Sequence, residues 1–239
     1  MLNYIRADLT RILTRKSFYI FFASLLSLYL IGLFITSSTL SEDKIVNQAS
    51  NIFMFLSLLG GGYLFTAIYN DDLTAKSLPA LLGFGIKRTT IIIAKIIIFI
   101  IMSSLIFLLA YITFNLIFMV LGFKIDGDMT NQILKLLLTY FLQLLAYTSI
   151  ASIIVYGTQK ATMSIVAFVL LATSFISQML LLLLSQFKDM VDLTRFTLMP
   201  IIAELISKGN LVSILSYLIY IIVFITLSMI AFKKKDLEF

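Results

Sequence analysis

The side chains that could carry out chemistry are few, and one segment between two apolar stretches contains six charged residues. The chain contains no Cys and no His, which excludes disulfides, thiolate chemistry, histidine metal sites and a Ser-His pair. Residues 70–95, NDDLTAKSLPALLGFGIKRTTIIIAK, place Asp71 and Asp72 ahead of four bases. No G-x-x-x-x-G-K-[ST] loop occurs, and GFGIKR at 83–88 lacks the loop-to-helix motif of a phosphate site. We therefore expect no enzymatic activity, metal or bound cofactor in this chain.

A second set of polar residues lies inside otherwise apolar stretches. Gln143 and Tyr147 are four residues apart, as are Ser174 and Gln178, so each pair would share one face of a helix. Hydrogen bonding between helices is the first interpretation of such residues in a membrane. The alternative is a weakly polar lining for a substrate path, and Gln143, Tyr147, Ser174 and Gln178 are its candidates.

Six long apolar stretches must position these residues, and none of the six contains a charged side chain. The composition is 61% hydrophobic, with a mean hydropathy of +1.07. A helix needs roughly 20 apolar residues to cross a bilayer, and a charge at its centre costs about 2.5–3.5 kcal/mol. We predict an all-α membrane protein with one transmembrane domain over residues 1–239. The predicted spans are 17–37, 52–69, 96–121, 136–156, 161–184 and 211–232.

The distribution of basic residues predicts the orientation. With both termini in the cytoplasm, twelve of the 18 Lys and Arg residues fall on the cytoplasmic side, as the positive-inside rule requires. The net charge of +6 therefore records insertion direction, and we expect the lipid bilayer, not nucleic acid, as the partner. The six outer bases are Lys44, Lys124, Lys135, Lys188, Arg195 and Lys208.

Three segments between the spans have their own patterns. Residues 1–16 place apolar residues at helical spacing among basic ones, which predicts an interfacial helix or, more simply, a basic flank. Residues 70–95 are longer than a plain connection needs. They predict a short helix with a glycine stop that forms a cytoplasmic docking surface, the alternative being an ordinary basic loop. Residues 185–210 are too short to span and too apolar for a free loop, which predicts an outer re-entrant hairpin.

Together these segments resemble a small permease of the ABC-2 type, the membrane subunit of an ATP-binding-cassette exporter. The resemblance covers essentially the whole chain. It is carried by the basic N-terminus, the pattern IYNDDLTAKSLPALLGFGIKRTTIIIAK, the tight turn between the fourth and fifth spans, the apolar hairpin and the basic tail. Pro79 departs from the family pattern and would shorten or kink the docking helix.

The resemblance implies a type V exporter-like fold with six spans in a bacterial plasma membrane. It implies a second, identical or different, permease chain and two copies of a cytoplasmic ABC ATPase that bind ATP and Mg²⁺. It further implies export of an amphipathic or hydrophobic cargo, such as an antimicrobial or cytolytic peptide or a drug-like molecule. The residues that would couple to the ATPase are Asp71, Asp72, Ser77, Leu78, Leu81, Leu82, Gly83, Phe84, Lys87 and Arg88.

Two other functions fit the same sequence. A sodium-coupled secondary transporter needs no ATPase, because discontinuous helices can bind Na⁺ through uncharged oxygens. A peptide-binding immunity or sensing component would bind a peptide without moving it.

Overall fold

The computed structural model describes residues 1–36, 42–74, 81–120, 122, 126–185 and 211–234, and every regular element among them is a helix. The predicted outer hairpin at 185–210 lies outside the described residues except for Ser185. The α-helices are α1 Leu2–Leu13, α2 Lys16–Thr36, α3 Glu42–Phe55, α4 Gly61–Phe65, α5 Asp71–Thr74, α6 Arg88–Val120, α7 Gly127–Thr158, α8 Ala161–Ala172, α9 Phe175–Ser185 and α10 Leu211–Lys234.

Four helical segments are long and apolar enough to cross a membrane, so the chain is an all-α, multi-pass membrane protein. They are Ile45–Leu73, Arg88–Val120, Gly127–Thr158 and Val212–Lys234. Two shorter apolar stretches, Lys16–Ser27 of α2 and Ala161–Ala172, overlap the predicted first and fifth spans.

The helices extend beyond the predicted spans. α6 begins at Arg88, not at residue 96, and its 33 residues reach about 50 Å at 1.5 Å per residue. That length exceeds the roughly 30 Å of a bilayer core, so α6 continues into the segment predicted to be a connection. α3 begins at Glu42 inside the predicted first outer loop, and α7 begins at Gly127. Sequence hydropathy detects only the apolar part of each helix, because the polar ends resemble loops.

α7 is the central helix of the bundle. It packs against α3, α8 and α10, and two hydroxyl pairs fix its neighbours. Ser50 Oγ and Tyr140 Oη lie 2.9 Å apart, and Ser152 Oγ and Ser228 Oγ lie 2.7 Å apart. In hydrocarbon such interhelical hydrogen bonds stabilise association by about 0.6–2 kcal/mol each.

The second long apolar segment is not a regular α-helix. π-helical turns at Leu56–Gly60 and Thr66–Asn70 flank the short α4. Between them Gly61 lets the backbone approach α7 and α8: a Cβ atom there would overlap Leu144 Cδ1 and lie 3.3 Å from Phe168 Cζ. The ring of Phe65 stacks on that of Phe168 with centroids 4.9 Å apart. This triple-glycine segment therefore serves close helix packing, as small residues do in membranes.

The predicted fifth span is divided into two helices. α8 ends at Ala172 and α9 begins at Phe175, because Ser174 takes a left-handed conformation with φ of 58°. A non-glycine residue seldom adopts this conformation. The interruption lies 13 residues into the predicted fifth span, about 20 Å from its start.

The glycine contact leads to a matched comparison of Gly61→Val with Gly62→Val. The two changes carry the same helix-propensity cost, but a Cβ at Gly62 meets only Phe168 Cε1 at 3.7 Å. Overpacking at Gly61 should cost about 1–3 kcal/mol more. We expect Gly61→Val to have a lower thermal unfolding temperature than Gly62→Val. Size-exclusion chromatography of heated detergent samples measures this temperature. Equal temperatures for the two variants would contradict the packing role.

Candidate functional site

The N-terminal helix α1 is held against the bundle by a face that contains a charge. Ile5 and Ile12 are buried, and Asp8 lies between them with only 7% of its surface exposed. This face packs against α6 and against the end of the second apolar segment. The predicted amphipathic helix is therefore present, but its most buried face contacts protein.

Asp8 forms an ion pair with Lys95. Lys95 lies seven residues after the start of α6, about 10 Å along the helix, and only 2% of its side chain is exposed. Lys95 Nζ lies 2.7 Å from Asp8 Oδ2 and also forms an ion pair with Asp72 Oδ2. One ammonium thus joins α1, α5 and α6.

Arg11 of α1 and Arg15, which lies between α1 and α2, complete the ionic cluster. Arg11 forms ion pairs with Asp8 at 2.6 Å and with Asp72 at 3.3 Å, and it donates to the carbonyl oxygen of Ala67 at 3.1 Å. Arg15 pairs with Asp71. The cluster of Asp8, Arg11, Arg15, Asp71, Asp72 and Lys95 contains three acids and three bases, so it is electrically neutral.

Asp8, Asp72 and Lys95 form the buried part of this cluster, whereas Arg11, Arg15 and Asp71 are partly exposed. Removing a charge from water costs several kcal/mol, and a partner with good geometry repays that cost only in part. Removing one member of a buried pair commonly costs about 3–5 kcal/mol, because the other charge is left uncompensated. The cluster therefore resists any movement that separates α1 from α5 and α6.

Tyr4 covers the cluster on the α1 side. Lys95 Nζ lies 5.6 Å from the centroid of the Tyr4 ring, within the range of a cation–π contact. Burial raises the pKa of Tyr4 to about 12, with Asp72 and Asp8 adding to the rise and the Lys95 ammonium opposing it. The phenol is consequently neutral at physiological pH and adds no charge to the cluster.

Within the 70–95 segment, a short helical turn at residues 81–83 ends in a glycine stop. Gly85 has φ of 78°, its N–H donates to the Leu82 carbonyl, and the Ile86 N–H donates to the Leu81 carbonyl. This is the Schellman pattern that terminates helices at glycine. It leaves Phe84 84% exposed and Lys87 exposed, so both can meet a partner.

Arg88 points back to the end of α10. It donates to the carbonyl oxygens of Phe232 and Lys233, and its guanidinium carbon lies 5.3 Å from the Phe232 ring centroid. Cations at a helix C-terminus are stabilising because the last carbonyls lack intrahelical donors. Arg88 thus ties the start of α6 to the last helix. The ionic cluster, residues 81–88 and Lys233 lie in one region of the protein. We call this region the basic end.

The structure divides the predicted coupling residues into groups. Asp71 and Asp72 belong to the ionic cluster and Arg88 to the α10 contact, while Leu81 and Leu82 are half-buried against the core. Phe84, Lys87 and Gly83 are exposed. Ser77 and Leu78 lie outside the described residues. Their roles towards an ATPase stay predictions.

Sequence reasoning missed Asp8 and the burial of Lys95. Asp8 is the only acid in residues 1–16, and it shares the helix face of Ile5 and Ile12 at i, i+3 and i+7 spacing. An acid on the apolar face of a basic helix indicates a buried basic partner, and that signal was available.

The predicted path residues form a hydrogen-bonded chain at the interruption between α8 and α9. Gln143 Nε2 donates to Tyr147 Oη at 2.7 Å, and Tyr147 Oη lies 3.3 Å from Ser174 Oγ. Gln143 is 7% exposed and Tyr147 fully buried. Gln178 is exposed and contributes only its backbone N–H, which donates to the Ser174 carbonyl at 3.0 Å. The structure thus unites three of the four predicted residues.

No metal-binding group of three His, Cys, Asp or Glu residues occurs among the described residues. Compared with models of known protein families, the chain matches none. It matches no curated protein either.

Substitution of Lys95 tests the ionic cluster. Lys95→Met leaves three acids facing two arginines, and we expect a loss of about 3–5 kcal/mol of unfolding free energy. Adding Asp8→Asn restores charge balance and should recover part of that loss. Thermal unfolding of both variants in detergent provides the measurement, with Lys87→Met as the exposed control. A single variant as stable as the control would contradict a buried network.

The titration of Tyr4 gives a second test. Since its folded pKa lies above the ordinary 10.0, the phenol stabilises the docked helix fully below pH 10, and this contribution is lost as the pH rises towards 12. An ultraviolet difference titration between the native chain and Tyr4→Phe should show one tyrosine ionising at about pH 12. Ionisation near 10 would mean that α1 exposes this ring to water.

Proposed function

We propose that this chain is the permease subunit of an ABC exporter in a bacterial plasma membrane, with six spans and both termini in the cytoplasm. Two permease chains and two copies of an ABC ATPase would form the transporter. The ATPase, not this chain, would bind ATP and Mg²⁺. The cargo would be an amphipathic or hydrophobic molecule, such as an antimicrobial or cytolytic peptide.

The observation that carries this proposal is the ionic cluster together with the exposed turn beside it. A subunit driven from outside needs a surface that receives force and a rigid connection from that surface into the spans. Phe84 and Lys87 supply an exposed apolar and basic surface. Arg88 and Lys95, on the same helix, supply the connection through α10, α1 and α5.

The position of the cluster also supports the predicted topology. Alternate crossing places residues 1–16, 70–95 and the end of α10 on one side, and contacts between Lys95 and Asp8 and between Arg88 and Phe232 join those segments. Tyr156, near the end of α7, contacts both Tyr69 and Phe232 with ring centroids 6.3 and 4.8 Å apart. These contacts support a common cytoplasmic face.

The sodium-coupled transporter remains a second candidate because of one observation. The interruption at Ser174 gives the fifth apolar segment the discontinuous form that cation-coupled carriers use at membrane depth. Purification with a stoichiometric ATPase separates the two functions. So does vesicle transport, because the exporter needs ATP and the carrier a sodium gradient.

Phe84→Asp tests the docking surface. The change places a charge at an 84% exposed position outside the ionic cluster, so folding should be unaffected while association with the ATPase weakens by roughly tenfold or more, as for loss of an apolar interface anchor. Leu134→Asp, at a 44% exposed apolar position near the start of α7 and outside the predicted spans, is the matched control.

The measurement is co-purification of a tagged chain, expressed with its genomic neighbours, with a protein that carries a Walker motif and hydrolyses ATP. Vesicles containing both proteins should release a labelled amphipathic peptide only with ATP. Peptide binding without ATP-dependent flux would favour the immunity or sensing role. Transport by the purified chain alone would contradict the permease proposal.

A further inference from the structure

The chain of hydrogen bonds at the interruption between α8 and α9 has two unused ends. Gln143 Nε2 donates to Tyr147 Oη, which leaves the Tyr147 hydrogen to be donated to Ser174 Oγ. The Ser174 hydroxyl is then a donor at one end. At the other end Gln143 Oε1 is a buried acceptor with no hydrogen-bond partner among the described residues.

An unused amide oxygen is costly at this depth. Gln143 lies 15 residues before the end of α7, about 22 Å along the helix, which matches the depth of Ser174. No bulk water reaches the hydrocarbon core, so a buried polar group must find a partner within the protein or in a ligand. The 93% burial of Gln143 and the backbone interruption are independent features of the same place.

We propose that Gln143, Tyr147 and Ser174 form a binding site for an amide group of an amphipathic ligand. An amide offers both missing partners: its N–H would donate to Gln143 Oε1, and its carbonyl would accept from the Ser174 hydroxyl. The protein groups of the site are uncharged, so a neutral ligand group is favoured over a bare cation, which would be desolvated without a counter-charge.

An apolar groove lies next to this site. It has a volume of about 410 Å³, and its lining includes Thr173, the residue before Ser174. Its walls include Phe21 from α2, Tyr63 from α4 and Phe168 from α8. A hydrocarbon chain in this groove would place an attached amide beside the interruption. The role of the site in moving cargo rests on the proposed function, whereas binding does not.

The absence of native cysteine allows a direct test on the full chain in lipid nanodiscs. Thr173→Cys places one thiol beside the site and leaves all three proposed ligand residues intact. The Thr173 hydroxyl bonds only to carbonyls of its own helix, Val169 and Leu170, so its loss should not disturb the fold. The measured quantity is the rate of alkylation of this thiol by N-ethylmaleimide.

The probes are N-methyldodecanamide and methyl dodecanoate, which share chain length and carbonyl but differ in the N–H donor. The amide should slow alkylation at about tenfold lower concentration than the ester, as expected when one buried hydrogen bond is lost. Adding Gln143→Met should remove this difference. Asn115→Leu, which removes an amide already bonded to the Tyr111 carbonyl, should leave it unchanged.

Thermal stability supplies an independent readout. Gln143→Met removes the unpaired oxygen but also the Nε2 hydrogen bond to Tyr147 Oη, so these effects offset each other and the unfolding temperature should change little while amide selectivity is lost. A purely structural glutamine would show a lower unfolding temperature in Gln143→Met and an unchanged preference for the amide. If the thiol does not react, the shift in unfolding temperature that each probe causes is measured instead. The shift caused by the amide should be lost in Gln143→Met, and the shift caused by the ester should not change.

Equal protection by amide and ester, or no protection, would overturn the proposal. Protection by sodium chloride but not by choline chloride would replace it with an ion site. No step of this test requires an ATPase, so failure to find such a partner would refute the exporter while leaving the amide site intact.

Discussion

Burial of the Lys95 ammonium between two carboxylates is the interaction on which the basic end depends. Asp8 comes from α1 and Asp72 from α5, so neither helix can move away from α6 without leaving a charge unpaired. At a site this shielded from water, opposite charges attract far more strongly than at an exposed surface. The partly exposed Arg15–Asp71 pair contributes less than the buried pairs of Lys95.

This constraint explains why a short N-terminal helix can be a stable part of the bundle. Isolated helices of about twelve residues are marginal in water, and α1 has only two buried apolar anchors, Ile5 and Ile12. Ion pairs of Asp8, Arg11 and Arg15 supply the remaining attachment. α6 then extends from the cluster across the whole bundle, and Arg88 adds α10. A force applied at residues 81–88 would be carried by these contacts into several helices at once.

The sequence predicted the membrane class, because long apolar stretches without charged residues are typical of membrane-spanning helices. It also identified Gln143, Tyr147, Ser174 and Gln178 as candidates for lining a path, without indicating which of them are in contact. It did not predict the interruption at Ser174, since serine has no strong preference for a left-handed conformation and the surrounding residues are uniformly apolar. Lys95 was assigned to a connection for a related reason: a charge beside an apolar run usually marks the end of a span. The buried charge of Lys95 is compensated by Asp8, a contact that only the tertiary structure shows.

The ionic cluster and the site at the interruption differ in chemistry. The ionic cluster is rigid and balanced, which suits transmission of movement. The interruption between α8 and α9 is uncharged and incompletely satisfied, which suits reversible contact with a ligand. In an exporter the first would move as a unit and the second would change its surroundings.

Distance measurements between spin labels test that division most directly. In the cysteine-free chain, one label pair at Arg6 and Thr89 reports on α1 relative to α6, and another at Thr89 and Thr162 reports on α6 relative to α8; all three positions are exposed. With the proposed ATPase bound, the account predicts a narrow distribution of α1–α6 distances that does not change when ATP is added. The α6–α8 distance should shift on addition of ATP. A broad α1–α6 distribution, or one that shifts with ATP, would contradict the claim that the ionic cluster makes these helices one unit.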